Sequence, residues 1–146
     1  MTRINLVPPS ELMDQHLFAE FREIKMIPKA LQRSLNARGL LGVCNMVPAE
    51  YTLGKGHVSF FYNKGTYLQL RYNVIRIELG RRGIKFDRES KFDPDGIFAY
   101  HSALLDNPYR PTDAALALIR ARIAEKIAMK PNWYRKTPPT YPAPVC

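Results

Sequence analysis

Few side chains in this sequence are of the kinds that bind metals or build disulfide scaffolds. The chain contains two cysteines, Cys44 and Cys146, and three histidines, His16, His57 and His101, with neither an HExxH motif nor a Cys/His ligand spacing. We therefore expect free thiols in a reducing compartment and no transition-metal site. An acidic cluster able to hold magnesium is also missing, which argues against a metal-dependent nuclease.

Long apolar runs are missing as well. No segment approaches the roughly 20 apolar residues of a membrane-spanning helix. Polar residues and prolines between Asn5 and Glu11 interrupt any run that could serve as a signal peptide. We therefore expect a cytoplasmic protein with no membrane partner.

Negative charge is scarce relative to positive charge. The chain has 13 acidic and 22 basic residues, which gives a formal net charge of +9. A surface this basic attracts polyanions, and nucleic acid is the first candidate partner. A length of 146 residues favours one domain, and such a domain buries about 68–70% of its unfolded surface.

Apolar residues at helical spacing predict an all-α fold: a single compact domain of three main helices joined by long irregular connections. The first helix is predicted at residues 10–38, with Ser10 as its N-cap, a kink at Pro28 and an end at Gly39. The second and third are predicted at residues 64–82 and 112–130.

Each predicted helix carries an apolar stripe that we expect to be buried. The stripes comprise Leu17, Phe21, Ile24, Leu31 and Leu35 in the first helix, Tyr67, Leu70, Val74 and Ile77 in the second, and Leu116, Ile119, Ile123 and Ile127 in the third. Four arginines keep the second helix basic: Arg71, Arg76, Arg81 and Arg82.

The connections are predicted as loops. Residues 40–62 and 84–111 contain prolines and glycines, with a short extended piece at 58–62 where apolar and polar residues alternate. Four prolines follow from Pro138 onward, which is typical of an extended or disordered tail. We therefore divide the chain into a domain at residues 1–137 and a tail at 138–146.

One face of the first helix carries His16, Glu20 and Glu23 at spacings of four and seven residues, away from the apolar stripe. This face is either a solvated polar surface or a partly buried carboxylate beside a histidine, suited to proton transfer. Arg22 and Lys25 flank Glu23 and are expected to keep it ionised.

The N-terminus offers a possible nucleophile. A small residue at position 2 usually permits removal of the initiator methionine, and Thr2 would then carry a free α-amino group. The reference pKa of such an amine is about 7.7–8, so part of it is neutral and nucleophilic at physiological pH. An amine, a nearby carboxylate and a basic surface are the parts needed for Schiff-base chemistry on DNA.

Two basic features could contact phosphates. Arg122, Lys126 and Lys130 recur every fourth residue on the third helix, a ridge that either aids solubility or follows a DNA backbone, and Arg120 and Arg135 could widen it. The segment 54–58 joins two glycines to Lys55 and His57, and we interpret it as backbone able to approach DNA closely.

Three blocks of the sequence resemble one known family. They are MTRINL...SEL.DQHL.AE.RE at the N-terminus, GKGHVSFFYNK in the middle and ARIAEKIAMKPNWY near the C-terminus. The family is that of the pyrimidine-dimer DNA glycosylase/AP lyase, the phage-type endonuclease V. This resemblance implies that the N-terminal segment threads between helices and brings the terminal amine beside a glutamate of the first helix.

The resemblance also implies roles for individual residues. Thr2 resembles the family nucleophile and Glu23 its essential carboxylate. The expected DNA contacts are Arg3, Gln15, His16, Arg22, Lys25, Arg122 and Lys126. The chain departs from the phage proteins at Met26, where they carry an arginine that Lys25 or Lys29 could replace, and after Tyr134, where a proline-rich tail replaces an aromatic end.

The implied activity is repair of duplex DNA that contains pyrimidine dimers or abasic sites. The Thr2 amine forms a Schiff base at C1′, Glu23 assists, and β-elimination cleaves the strand, with no metal or other cofactor. We expect a monomer in the cytoplasm of a bacterial or phage-infected cell. Two alternatives remain open: a non-catalytic basic DNA-binding module on the same fold, and a glycosylase for other base lesions.

Overall fold

The computed structural model describes residues 3–140, so Met1, Thr2 and residues 141–146 lie outside it. Over this range the chain is all-α, as predicted, and its β-structure is limited to one isolated bridge between Lys64 and Asp106. After a 3-10 helix at Pro9–Glu11, the helices are α1 Asp14–Glu23, α2 Met26–Asn45, α3 His57–Phe60, α4 Gly65–Arg81, α5 Ile97–Tyr100, α6 Ser102–Leu105 and α7 Asp113–Met129. None of the helices between residues 3 and 140 combines the length and hydropathy needed to cross a bilayer.

The first predicted helix is two helices. Ser10 lies in the 3-10 helix and is not the N-cap, because α1 begins only at Asp14. The chain then breaks at residues 24–25, and Pro28 becomes the third residue of α2. At that position the backbone nitrogen needs no intrahelical partner, so proline is tolerated in the first turn. The interruption predicted at Pro28 is therefore present, a few residues earlier.

Two segments predicted as irregular are helical. Gly39 leaves the helical conformation, with φ 72° and ψ 174°, but the helix resumes and continues to Asn45. This backbone region is almost restricted to glycine, so Gly39 kinks α2 instead of ending the helical run. Residues His57–Phe60 form α3 where an extended piece was predicted, and α5 and α6 lie within the predicted loop 84–111.

The ends of α4 and α7 agree with the sequence prediction to within one residue. Thr112 caps α7 by accepting a hydrogen bond from the Ala115 backbone N–H at 3.0 Å. The predicted buried face of α4 is wrong, because Leu70, Val74 and Ile77 are exposed. The face that packs inward carries Leu68, Arg71, Tyr72, Ile75, Glu78, Leu79 and Arg81.

The buried side of α4 carries charged side chains, and they can be buried because each one is paired with a side chain of opposite charge. Arg82, just after the helix, donates to Glu78 at 2.8 Å and to Asp14 of α1 at 2.9 Å, and Arg81 also pairs with Glu78. Arg71 donates to both carboxylate oxygens of Glu20, at 2.7 and 3.0 Å. Buried charges of this kind persist only when paired and hydrogen-bonded. The expectation that these arginines form a basic surface on the helix is therefore wrong for those three.

The N-terminal segment threads through the core, as predicted. Residues 4–7 are buried among the helices. The Ile4 backbone N–H donates to His57 at 2.9 Å, and its carbonyl accepts from the Tyr51 hydroxyl at 2.7 Å. Asn5 donates its backbone N–H (3.2 Å) and its side-chain amide (2.9 Å) to Glu20. These contacts fix the direction in which residue 3 leaves the core.

His57 belongs to this buried anchor and is not a phosphate ligand. It is 2% exposed, its Nε2 accepts the Ile4 N–H, and its Nδ1 donates to the Thr52 carbonyl at 2.7 Å. This pattern requires a neutral imidazole that carries its proton on Nδ1. Burial lowers the pKa of His57 from its usual value. Lys55, the other side chain of residues 54–58 that was considered for phosphate binding, is exposed to solvent.

The buried neutral His57 is expected to make stability fall on the acid side. Below pH about 6.5 the unfolded chain binds a proton that the folded imidazole resists, so the free energy of unfolding decreases until the lowered pKa is passed. The variant His57→Gln should lose about 1–3 kcal/mol at pH 8, because Thr52 loses its donor, and should flatten this slope. Denaturant titrations between pH 5.5 and 8 measure both effects.

His101→Gln is the matched control, since His101 is only partly buried and lies beside the exposed Tyr100. It should change the free energy of unfolding at pH 8 by no more than about 0.5 kcal/mol. An unaltered acid slope in His57→Gln would contradict the assignment.

Candidate active site

Glu23 is the last residue of α1 and lines a cavity of about 280 Å³ between α1, α7 and the N-terminal segment. We call it the Glu23 cavity. Five of the residues predicted for the site from the sequence meet there: Arg3, His16, Glu23, Arg122 and Lys126. They come from three separate parts of the chain, so the fold brings together what the sequence spaces far apart. The rest of the lining is Asn5, Ala19, Glu20, Ile123 and Tyr134.

The Glu23 carboxylate is partly buried beside the N-terminal segment. The Arg3 backbone N–H lies close enough to favour its ionised form. Burial raises the pKa of Glu23 above its usual value, against the opposing effect of the Arg3 and Arg22 guanidiniums. Arg22 therefore acts on Glu23 as expected, but burial outweighs it. A carboxyl with a raised pKa in a cavity is suited to accepting and returning a proton.

His16 stands one helical turn before Glu20 on the same wall. Burial lowers the pKa of His16, and the nearby Arg3 and Lys126 add to this effect, so the imidazole is neutral at pH 7. Its Nδ1 is removed from solvent and has no hydrogen-bond partner among residues 3–140. The ring packs against Tyr134, with centroids 4.7 Å apart and planes tilted by 33°.

The cations of α7 face the cavity across from Glu23. Arg122 donates to Glu125 at 3.2 Å, but Glu125 is exposed, and exposed pairs of this kind hold a cation only weakly. Lys126 follows one turn later. Arg120 does not extend this surface, because it is paired with Glu11 at 2.8 Å. Cations beside a partly buried carboxylate can bind a phosphodiester while the carboxylate faces the sugar.

A second cavity, of about 610 Å³, adjoins the first. His16, Ala19 and Tyr134 line both cavities. We call it the Trp133 cavity; its other lining residues are Asp14, Gln15, Phe18, Arg22, Ile84, Trp133, Arg135 and Thr137. Two further predicted contacts, Gln15 and Arg22, thus lie beside the Glu23 cavity rather than in it.

Lys25 lies apart from both cavities. Its ammonium sits 4.1 Å from the centroid of the Phe21 ring and donates to Ser90 at 3.3 Å. Of the two lysines considered as replacements for an arginine at position 26, Lys29 is the exposed one. Thr2 lies outside the described residues, so its place in the site stays a prediction.

Sequence reasoning missed the residues that build the walls. Glu20 was grouped with Glu23, yet it is 1% exposed and bound by Asn5 and Arg71, so it holds the N-terminal segment. Asn5 and Arg71 carried no local signal of this role. Tyr134 was assigned no role in the site, and the block NWY at residues 132–134 was the available hint of its place beside His16.

The arrangement favours acid–base chemistry beside a bound phosphodiester. Among residues 3–140, no group of three or more histidine, cysteine or carboxylate side chains is arranged to hold a metal ion. The family model for pyrimidine dimer DNA glycosylase matches residues 1–92. This match covers well over half of the chain and includes Arg3, His16, Glu23 and the buried anchor of the N-terminal segment.

Proposed function

This chain belongs to the pyrimidine dimer DNA glycosylase family, and from that premise we propose a Schiff-base mechanism, with base excision and strand cleavage at one site. DNA repair by a glycosylase for pyrimidine dimers is the function of the family. The observation that carries the finer proposal is that Arg3 and Glu23 line the same cavity, where the Arg3 backbone N–H favours the ionised Glu23 carboxylate. The Arg3 nitrogen is covalently bonded to residue 2, so this proximity favours Thr2 as the partner of Glu23.

The first step uses the α-amino group of Thr2 after removal of Met1. The neutral amine attacks C1′ of the 5′ pyrimidine nucleotide of a cyclobutane dimer, and the glycosidic bond breaks as the pyrimidine leaves with the electron pair and takes up a proton. The amine gives up two protons, one to the departing pyrimidine and one to the ring oxygen O4′ as the sugar ring opens, and an imine joins Thr2 to C1′. The imine acts as an electron sink, so covalent catalysis serves where other enzymes use a metal.

Glu23 acts in both halves of the reaction. Its carboxylate stabilises the cationic sugar that develops as the glycosidic bond breaks. It then accepts the C2′ proton, and the electrons of that C–H bond expel the 3′ phosphate by β-elimination, which cleaves the strand. The raised pKa of Glu23 brings its proton affinity closer to that required of a general base near neutral pH.

The remaining side chains are assigned to the DNA. Arg122 and Lys126 bind backbone phosphates, while Arg3, Arg22 and His16 lie toward the damaged strand. The same imine chemistry acts on abasic sites, where the base is already absent, so we propose AP lyase activity as well. The enzyme is proposed to act as a monomer and without a cofactor.

Reduction of the imine tests the proposal directly. Protein whose Met1 is shown by intact mass to be removed is mixed with duplex that carries one cyclobutane dimer, in the presence of borohydride. We expect a covalent protein–DNA adduct, because reduction converts the imine into a stable amine. Mass spectrometry of the digested adduct should place the deoxyribose on the Thr2 nitrogen.

Undamaged duplex and protein acetylated at the N-terminus are the controls, and neither should form the adduct. Strand cleavage without an adduct would reject the imine mechanism. Binding without cleavage would favour the non-catalytic DNA-binding module. An adduct with duplexes that carry oxidised or alkylated bases, but not with the dimer, would identify a glycosylase for other lesions.

A further inference from the structure

The chain after α7 returns to α1 and is held there by Gln15. The side-chain amide of Gln15 donates to the Trp133 carbonyl at 2.7 Å and accepts the Arg135 backbone N–H at 3.0 Å. Both polar atoms of one side chain thus bind the main chain on either side of Tyr134. A two-bond contact of this kind fixes the orientation of the segment as well as its distance.

The neighbouring Asp14 adds a second set of contacts. Its backbone N–H donates to the Arg135 carbonyl at 2.7 Å, and its carboxylate accepts from the Thr137 backbone and hydroxyl. The residue before α1 is Met13, whose side chain has no oxygen to cap the helix, so the Arg135 carbonyl of the returning chain binds the first free backbone N–H instead. Thr140 continues the contact by donating to the Arg81 carbonyl.

These contacts place the aromatic pair Trp133 and Tyr134 at the site. Tyr134 packs on His16 and lines both cavities, while Trp133 lines the larger one and packs edge-on against Tyr134 at 4.9 Å. Trp133 is 55% exposed and Tyr134 only partly buried. Packing alone therefore holds this wall weakly, and the hydrogen bonds to α1 are what define its position.

We propose that Gln15 is a positioning residue, which sets the Trp133–Tyr134 wall so that a damaged pyrimidine is recognised there. This differs from the direct DNA contact expected from the sequence, because its amide already binds the Trp133 carbonyl and the Arg135 N–H. The inference rests on the proposed function, since it assigns lesion recognition to that same site.

Gln15 can be replaced without removing the contacts through which the neighbouring Asp14 stabilises the fold. Asp14 is also bound to Arg82, which ties it to Glu78 in the core, so its removal would disturb α4. The Gln15 contacts are exposed hydrogen bonds to the returning chain. Their loss should release the aromatic wall while the helices keep their packing.

The test compares Gln15→Met, which keeps length and helix propensity but makes neither bond, with Gln15→Glu, which keeps the acceptor for Arg135. Incision is measured on two duplexes of the same sequence, one with a cyclobutane dimer and one with an abasic site. We expect kcat/KM on the dimer to fall about 10-fold in Gln15→Met and about 3-fold in Gln15→Glu. Abasic incision should stay within about 2-fold, because there is no pyrimidine to place.

Trp133 supplies an independent readout, because it is the only tryptophan in the chain. Its fluorescence anisotropy should fall in Gln15→Met as the segment gains motion. Gln69→Met is the matched control, since Gln69 is exposed on α4 and binds Asn73 at 3.2 Å. It should change neither the anisotropy nor the ratio of the two activities.

The outcomes separate the two proposals. A wild-type protein that incises neither duplex would overturn the proposed function. A wild-type enzyme active on both duplexes, with Gln15→Met unchanged or reduced equally on the two, would overturn the positioning role. Unchanged Trp133 anisotropy in Gln15→Met would overturn it as well.

Discussion

The variant Glu23→Gln is expected to bind dimer-containing duplex as tightly as the wild-type protein, or slightly more tightly, and to cleave it about 10²–10⁴-fold more slowly. Glutamine keeps the size and shape of the side chain, so the cavity should persist. It cannot take up the C2′ proton or carry the negative charge that stabilises the sugar cation. Single-turnover cleavage and gel-shift titrations measure the two effects separately.

Glu50→Gln serves as the control, because Glu50 is exposed and lies outside both the Glu23 and the Trp133 cavity. The wild-type rate should also fall toward acid pH as Glu23 takes up a proton. Because burial raises the pKa of Glu23, this fall should begin at a higher pH than for an ordinary glutamate. Cleavage by Glu23→Gln at the wild-type rate would show that another group carries the proton.

The helices whose bounds could be predicted are those whose ends are marked by neighbouring residues, such as a capping side chain or a glycine. Thr112 directly precedes α7 and caps it by binding the backbone N–H three residues further on. Gly83, with φ 70°, follows the end of α4. Such signals act over one turn, so they are readable from the sequence. The α1–α2 break at residues 24–25 has no comparable signal, and the sequence indicated only that proline had to interrupt the segment nearby.

The inward face of α4 was not predictable from apolar spacing. The predicted face was chosen because Leu70, Val74 and Ile77 are apolar and helically spaced. The fold instead buries the side that carries Arg71 and Glu78. That choice depends on partners in distant parts of the chain. Arg71 meets Glu20 across 51 positions. The spacing of apolar residues does not indicate which charged side chains will find a partner in the folded protein and can therefore be buried.

The same limit applies within the site. Glu20 and Glu23 are neighbours on one face of α1 and both line the Glu23 cavity, and only the contacts with Asn5 and Arg71 mark Glu20 as the structural carboxylate. The resemblance named Glu23 as the essential carboxylate, and that role stays a prediction; the fold places Glu23 in the lining of the cavity. It gave no indication that Gln15 binds the Trp133–Arg135 backbone, because that contact depends on the path of the returning chain.

Replacing Arg71 by methionine is expected to cost about 3–5 kcal/mol of unfolding free energy. The change leaves the Glu20 carboxylate, whose side chain is fully buried, without its cation, and removes the donor to the Val7 carbonyl. Because Glu20 and Arg71 together hold residues 5–7, the same variant should loosen the segment that leads to Arg3. Denaturant unfolding gives the free energy, and amide hydrogen exchange of Ile4 and Asn5 reports the loosening.

Arg120→Met is the matched control. Arg120 binds Glu11 with the same two-bond geometry, at 2.8 and 3.1 Å, but the two side chains are 48% and 42% exposed. Solvent screens that pair, so its loss should be close to undetectable. The double variant Glu20→Leu/Arg71→Met should be more stable than Arg71→Met alone, because no buried charge is left unpaired. Equal losses in Arg71→Met and Arg120→Met would show that burial of the Glu20–Arg71 pair does not hold the N-terminal segment in the core.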